Sequence, residues 1–282
     1  MLWRSLLATT STCGVPESSD QPAPPTPAEL ERIAVDTARS AATLVAAGYG
    51  RAQRVRDKSS PTDVVTQTDL DAEAHIRSLL HEATPAAGLL GEEGGGDAVP
   101  GTRLQWVIDP LDGTVNFLYG VPIFAVSIAG AVDGEVVAGA VVDVLRGEMF
   151  SARVGGGARL DGEPLAVSAC DRLPAALVAT GFSYRAELRA VHGAVVHRVL
   201  SVARDVRCFG SAALELCWVA CARVDAYYER DIKVWDYSAG VLIAREAGAL
   251  TELPCPENDD LVIAATPGVF HELRSAVQLP TT

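Results

Sequence analysis

The chain has 282 residues, 49% of them apolar, and a formal net charge of −13 from 36 acidic against 23 basic residues. That length and apolar content can bury a sizeable core in one or two structural units and exclude a disordered chain. The acidic balance argues against nucleic acid as the main ligand, but not against an anionic phosphate, because bound metal ions invert the local field.

Residues 1–25 read as a disordered tail. Thr and Ser interrupt the short apolar stretch of MLWRSLLATTSTCGV, which suits neither a secretory signal nor a lipoprotein box, and PESSDQPAPPTP is a Pro/Ser linker. No stretch is long and apolar enough to cross a membrane. The six cysteines (13, 170, 208, 217, 221 and 255) show no C-x-x-C spacing, so the expectation is reduced thiols in the cytoplasm. The folded unit starts at Thr26-Pro27-Ala28-Glu29, a capping box with Pro at the first helical position. Leu30, Ile33, Ala34, Ala41, Leu44 and Val45 follow at helical spacing to Gly48.

In KSSPTDVVTQTDLDAE, from Lys58 to Glu73, Thr66-Gln67-Thr68-Asp69 reads as a helix start, and a second helix is expected over 69–82. GLLGEEGGGD, residues 88–97, reads as a strand end running into Glu92 and Glu93 on a glycine-rich loop. Alone it would be a solvated turn. However, Glu92 precedes Asp109 by seventeen residues, and the two can share a metal if their loops leave neighbouring strands at one sheet edge.

WVIDPLDGTVNF, residues 106–117, is the most informative segment. Val107 and Ile108 read as the end of a buried strand, with Asp109 where it stops and Pro110 holding Asp109 extended. Asp112 follows, and Gly113-Thr114 opens the next element with bare backbone N–H groups. Two carboxylates this close repel each other unless cations sit between them. Hard, oxygen-liganded divalent ions such as Mg²⁺ fit that need and usually bring phosphate.

Strands over 124–132 and 135–144 flank an Asp133-Gly134 hairpin turn; 149–154 follows, and Asp161-Gly162 turns into 165–167. The strand at 124–132 is apolar on both faces, so helices should cover both. From about 172 the pattern alternates: strand 177–180, helix 186–203, strand 206–209, helix 211–224, strand 226–229, helix 236–247, strand 261–265, and a helix from Pro267. Asp236 stands before an apolar helix (Ala239, Val241, Leu242, Ala244) that ends at Gly248. It is either a cap or a carboxylate that closes a metal site from the far half of the chain.

In this order and spacing the pieces resemble the inositol monophosphatase family of Mg²⁺-dependent, lithium-sensitive phosphomonoesterases. The matching strings are Asp109-Pro110-Leu111-Asp112-Gly113-Thr114, Trp235-Asp236-Tyr237-Ser238-Ala239-Gly240 with Glu246-Ala247-Gly248, Gly91-Glu92-Glu93, and Val65-Thr66-Gln67-Thr68-Asp69. The resemblance covers roughly residues 27 to 279 and is closest to the bacterial inositol-1-monophosphatase branch of actinobacterial type.

The resemblance implies a mixed α+β and α/β fold, the five-layer αβαβα sandwich of the sugar-phosphatase type. A disordered tail (1–25) would precede an N-terminal half (26–170) with most metal ligands and a C-terminal half (171–282) with Asp236 and the substrate contacts. Carried over residue by residue, it assigns two or three Mg²⁺ ions to Glu92, Asp109, the Leu111 carbonyl, Asp112 and Asp236. It assigns phosphate to the N–H groups of Gly113 and Thr114, and the positioning of the attacking water to Thr114, Asp69 and Glu92. Glu229 and the backbone of Ala212 would read the inositol ring; Glu93 and the loop lysine Lys58 are possible contributors. A cytoplasmic homodimer acting on a small phosphorylated polyol, with no nucleic acid or membrane partner, is the expectation.

Two alternatives stay open. One is the same chemistry on histidinol phosphate, fructose 1,6-bisphosphate or a nucleotide. The other is a regulatory binding protein with incidental phosphatase activity, since bacterial relatives bind transcription machinery. Val115-Asn116-Phe117 departs from the Lys-Glu-Phe of adenosine-bisphosphate phosphatases, and the segment from Gly181 to Arg185, GFSYR, resembles bacterial rather than animal members.

Overall fold

The first helix, α1 (Pro27–Gly48), begins at the expected capping box: the Glu29 N–H donates to Thr26 Oγ1 at 3.3 Å and the Thr26 N–H donates to Glu29 Oε2 at 2.8 Å. Its apolar stripe of Leu30, Ala34, Ala38, Ala41 and Val45 is fully buried. The structure is a computed structural model and describes residues 23–51, 54–57, 64–97, 99, 101–255, 258 and 260–279. Most of the expected tail, and Lys58, lie outside these residues.

An antiparallel pair, β1 (Arg54–Asp57) and β2 (Val64–Thr66), leads into α2 (Gln67–Ala83). The chain then builds an eight-stranded sheet from β3 (Gly88–Gly91), β4 (Gly95–Asp97), β5 (Leu104–Asp112), β6 (Ala125–Val132), β7 (Glu135–Asp143), β8 (Glu148–Arg153), β9 (Gly157–Leu160) and β10 (Glu163–Pro164). The spatial order is β10-β9-β8-β7-β6-β5-β3-β4, with the short α3 (Thr114–Tyr119) between β5 and β6. Asp133 and Gly134 turn the β6–β7 hairpin with φ of 52° and 84°, the left-handed pair that a type I′ turn requires.

The second sheet holds five strands, β11 (Leu177–Thr180), β12 (Asp205–Arg207), β13 (Ala226–Arg230), β14 (Leu250–Glu252) and β15 (Leu261–Ala265), in the order β12-β11-β13-β15-β14. Interleaved with them are α4 (Ala186–Val202), α5 (Ala212–Ala220), α6 (Val234–Glu246) and α7 (Pro267–Ala276).

Three cores stack these elements into five layers. Strand alternation sends Trp106 and Ile108 to the α1/α2 side of the first sheet and Val107 to the other side. There Val107, Ala125 and Val141 share a core with Leu214, Leu216, Val241 and Ile243 of α5 and α6, and with Tyr227 and Val262 of the second sheet. The far face of the second sheet packs Val178, Tyr228 and Ile263 on Val195 and Val199 of α4 and Phe270 and Leu273 of α7. This is the αβαβα sandwich, and both faces of the doubly apolar strand β6 are covered.

The differences are local. Gly95–Asp97, read as loop, pairs with β3. The expected strand at 165–167 is displaced by β10, and the Leu165 and Val167 N–H groups bond singly to Ala158 O and Ala247 O. Helix α5 stops at Ala220 rather than 224: Ala222 takes φ 61°, and the Arg223 and Val224 N–H groups return to the Trp218 carbonyl.

Candidate active site

Strands β3 and β5 run parallel with Gly91 opposite Ile108 as their last pair, so Glu92, the first residue of the turn after β3, and Asp109 each follow that pair at the same sheet end. This is the adjacency that a shared ion needs. Beyond Asp109 the strand does not stop. Asp109 pairs with Ser127 and Asp112 with Ala125, so one extra residue bulges out, and Pro110 sits where a bulge tolerates a missing N–H. Asp109 Oδ1 accepts the Leu111 N–H at 3.0 Å. Gly113 then reverses the chain at φ 91°. A Cβ there would stand 3.0 Å from the Ile123 carbonyl oxygen and 3.1 Å from that of Gly210.

Thr114 opens α3 and meets α2. Its Oγ1 lies 2.9 Å from Asp69 Oδ1 and 3.0 Å from the Leu111 carbonyl oxygen. One hydroxyl proton serves one acceptor at a time. Asp69 is fully buried, and its Oδ2 accepts both the N–H of Thr66, at 2.9 Å, and the Thr66 hydroxyl. The helix cap foreseen at Asp69 and the link to Thr114 are thus one carboxylate.

The far half reaches the same place through two helix starts. Asp236, in the first turn of α6, accepts the Lys233 N–H on Oδ2 at 2.6 Å, so it caps the helix while it lines the cavity. Asp112 Oδ2 accepts the Ala213 N–H at 2.9 Å and the Ser211 hydroxyl, which fastens α5 to the acidic turn. Two further side chains hold the loop before α5. Asn116 Nδ2 donates to Phe209 O at 2.7 Å, and buried Glu215 Oε1 accepts the N–H groups of Phe209 and Gly210 at 2.7 and 3.0 Å. Glu229, on β13, accepts the Tyr227 hydroxyl at 2.7 Å. A Cβ on Gly181 would come within 2.2 Å of its carboxylate.

The result is one cavity of about 790 Å³ lined by Glu92, Asp109, Leu111, Asp112, Gly113, Thr114, Ala212, Glu229 and Asp236. Phe182, Tyr184, Arg185 and Lys233 also line it. Asp69 stands behind Thr114 rather than in the lining. Glu93 is half-buried outside the lining, and its N–H donates to Glu73 at 2.7 Å. Ser211, Asn116, Glu215 and Tyr227 were not singled out from the sequence; of these only Ser211, the cap of α5, left a local signal.

The acids are strained toward their neutral forms. Burial pushes Asp112 up to about 6. Desolvation and the neighbouring Glu92 charge hold Asp236 well above the usual carboxylate range, and desolvation raises Glu229 to about 7. Among the described residues, no three His, Cys, Asp or Glu side chains are already gathered into a group that could hold a metal ion. The donor chemistry nonetheless suits a hard divalent cation: the converging ligands are oxygens, and a cation would relieve the repulsion and desolvation that raise these acids.

A model of the inositol monophosphatase family matches residues 26–278. An inositol-1-monophosphatase of Mycobacterium leprae is 47% identical over 247 residues, covering 83% of this chain and 84% of that protein. A protein of Pasteurella multocida named Nus factor SuhB is 37% identical, covering 87% and 94%. The solved structure of Mycobacterium tuberculosis SuhB superposes with a TM-score of 0.78 at 41% identity, covering 90% of this chain and 97% of that one.

Proposed function

The chain belongs to the inositol monophosphatase family, and from that premise we propose that this phosphatase hydrolyses inositol-1-phosphate to inositol and phosphate with Mg²⁺ and is inhibited by lithium. One observation carries the reading: acids from both halves of the chain, Asp109 and Asp112 with Asp236, meet Glu229 in a single cavity. The residues that would hold the ions are Glu92, Asp109, Asp112, Asp236 and the Leu111 carbonyl. Bound there, divalent ions would acidify a water, neutralise phosphoryl oxygens and stabilise the leaving alkoxide.

The chain's own groups supply the rest. With its proton committed to Asp69, Thr114 Oγ1 is left as an acceptor and can hold one O–H of the attacking water, with Glu92 beside it. The N–H groups of Gly113 and Thr114, where α3 begins, hold the phosphate. Glu229 accepts hydrogen bonds from polyol hydroxyls, with the Ala212 backbone against the ring. A Ser, Cys or Asp nucleophile plays no part in this scheme, so water attacks directly and in line. Cytoplasmic residence and a homodimer complete the reading.

The test is phosphate release from inositol-1-phosphate, histidinol phosphate, fructose 1,6-bisphosphate and a nucleoside monophosphate, with Mg²⁺, with Mg²⁺ plus Li⁺, and with chelator. The highest kcat/KM should fall on inositol-1-phosphate and should vanish in chelator. A clear preference for another ester would transfer the chemistry to that substrate. The relatives named Nus factor SuhB favour a second reading, a regulatory binding protein. Metal-dependent release from none of the four esters would leave that one standing.

A further inference from the structure

Helix α2 carries Asp69 and Glu73 one turn apart on one face, and each grips a different arm of the site. Asp69 takes the Thr114 hydroxyl. Glu73 is only 3% exposed, and its carboxylate lies inside the turn that follows β3. Oε2 accepts the Glu93 N–H at 2.7 Å, and Oε1 accepts the Gly94 N–H and the Arg77 Nε–H, both at 2.8 Å. Arg77 Nη2 donates onward to the Gly95 carbonyl at 2.7 Å. The Glu92-Glu93-Gly94 turn is therefore folded around an ion pair supplied by another element.

Two glycines answer to that carboxylate. A Cβ on Gly91 would stand 2.5 Å from Glu73 Oε1, and one on Gly94 would stand 2.6 Å from the same atom and 2.9 Å from Arg77 Nη2. Neither glycine has a positive φ, whereas Gly95 beside them does. Backbone freedom is thus not what positions 91 and 94 require. They require room for Glu73.

We propose that Glu73, braced by Arg77, is the positioning residue for Glu92: it shapes the turn from which Glu92 reaches the cavity, in register with the Thr114 that Asp69 holds from the same helix. This rests on the roles proposed above for Glu92 and Thr114. Glu73→Gln keeps one acceptor oxygen and turns the other into an NH₂ that must face either the Glu93 N–H or the donors of Gly94 and Arg77, so the turn has to open on one side. Gly94→Ala presses on the same carboxylate from the loop side and leaves α2 intact.

The experiment compares wild type, Glu73→Gln and Gly94→Ala, each stripped with chelator. Mg²⁺ binding is read by isothermal titration, folding by melting temperature, and turnover on inositol-1-phosphate and a nitrophenyl phosphate at saturating Mg²⁺. Both variants should bind Mg²⁺ about tenfold more weakly and lose roughly ten- to a hundred-fold in kcat on both esters. KM for inositol-1-phosphate should stay within about twofold, because the polyol contacts are elsewhere. Variants that melt lower yet bind Mg²⁺ and turn over like wild type would reduce Glu73 to a structural ion pair and overturn the proposal. If Glu73→Gln does not fold, Gly94→Ala decides on the same readouts. A wild type that binds Mg²⁺ but releases no phosphate would sink the functional reading instead, and the titrations alone would then judge Glu73.

Discussion

Asp112 has two obligations, and they can be separated. Its Oδ2 anchors Ser211 and Ala213 at the start of α5, and its charge is proposed to serve the metal ions. Asp112→Asn keeps an oxygen for the anchor and removes the charge. The melting temperature should move little, while kcat at saturating Mg²⁺ falls roughly a hundred-fold or more. Near-normal phosphate release would take Asp112 out of the metal site. Glu229→Gln probes recognition instead. The amide can keep its oxygen on the Tyr227 hydroxyl, but then presents a donor to the polyol. Losing a charged contact costs about 1.5–3 kcal/mol, so kcat/KM for inositol-1-phosphate should fall roughly ten- to a hundred-fold. Hydrolysis of a nitrophenyl phosphate should barely change; equal loss on both esters would place Glu229 against the reacting phosphate. Glu92, Asp109 and Asp112 were legible in the sequence because each stands beside a Gly or Pro at a strand end, whereas Asp236 read equally as a helix cap and Glu229, in the middle of a strand, was named only through the family resemblance. Asn116 and Glu73 were not legible, because what they hold is backbone far along the chain: Phe209 lies 93 positions from Asn116 and Gly94 lies 21 from Glu73.

At the level of elements, α6 links the two sheets. Asp236 sits in its first turn, and at its last residue Glu246 accepts the N–H groups of Gly155 and Gly157, each at 3.0 Å, from the β8–β9 turn of the first sheet. Glu246→Ala should destabilise by about 1 kcal/mol, since water can replace part of what these outer N–H groups lose. Thermal melts should show the shift and kcat should hold. A matching loss of kcat would mean that the far end of the helix governs where Asp236 stands. Elements with a cap and a long apolar stripe, such as α1, could be read from the sequence almost to the residue. The short strands β4 and β14 could not. Gly95-Gly96-Asp97 has no apolar face to announce it, and only its partner β3 makes it a strand. The end of α5 was hidden for a related reason, because Ala222 in a left-handed conformation is set by tertiary context rather than by propensity.

For the molecule as a whole, buried acids set a pH dependence. Glu229 is raised from 4.5 to about 7, and burial with the Glu229 charge holds Glu215 well above the carboxylate range. A carboxyl raised in the fold keeps its proton there after the unfolded chain has released it. The folded state therefore binds more protons through this interval, and stability present below about 4.5 is lost as pH rises through about 7. In chelator the melting temperature should fall by several degrees between pH 5 and pH 8. Saturating Mg²⁺ should reduce that fall, because a cation favours the ionised acids. A flat profile in chelator would mean that the cavity already tolerates its charges.

The strand order of the second sheet also bears on biosynthesis. β13, which carries Glu229, is completed by β15, which inserts antiparallel between β13 and β14 and is buried at every position. A chain emerging from the ribosome thus delivers every acid of the cavity while one flank of β13 still has no neighbour. Until residues 261–265 follow, that flank offers open N–H and C=O groups to any passing strand. The nascent protein can be captured or aggregate through the very strand that carries Glu229 into the cavity, and a stop codon shortly before Leu261 would prolong that exposure indefinitely.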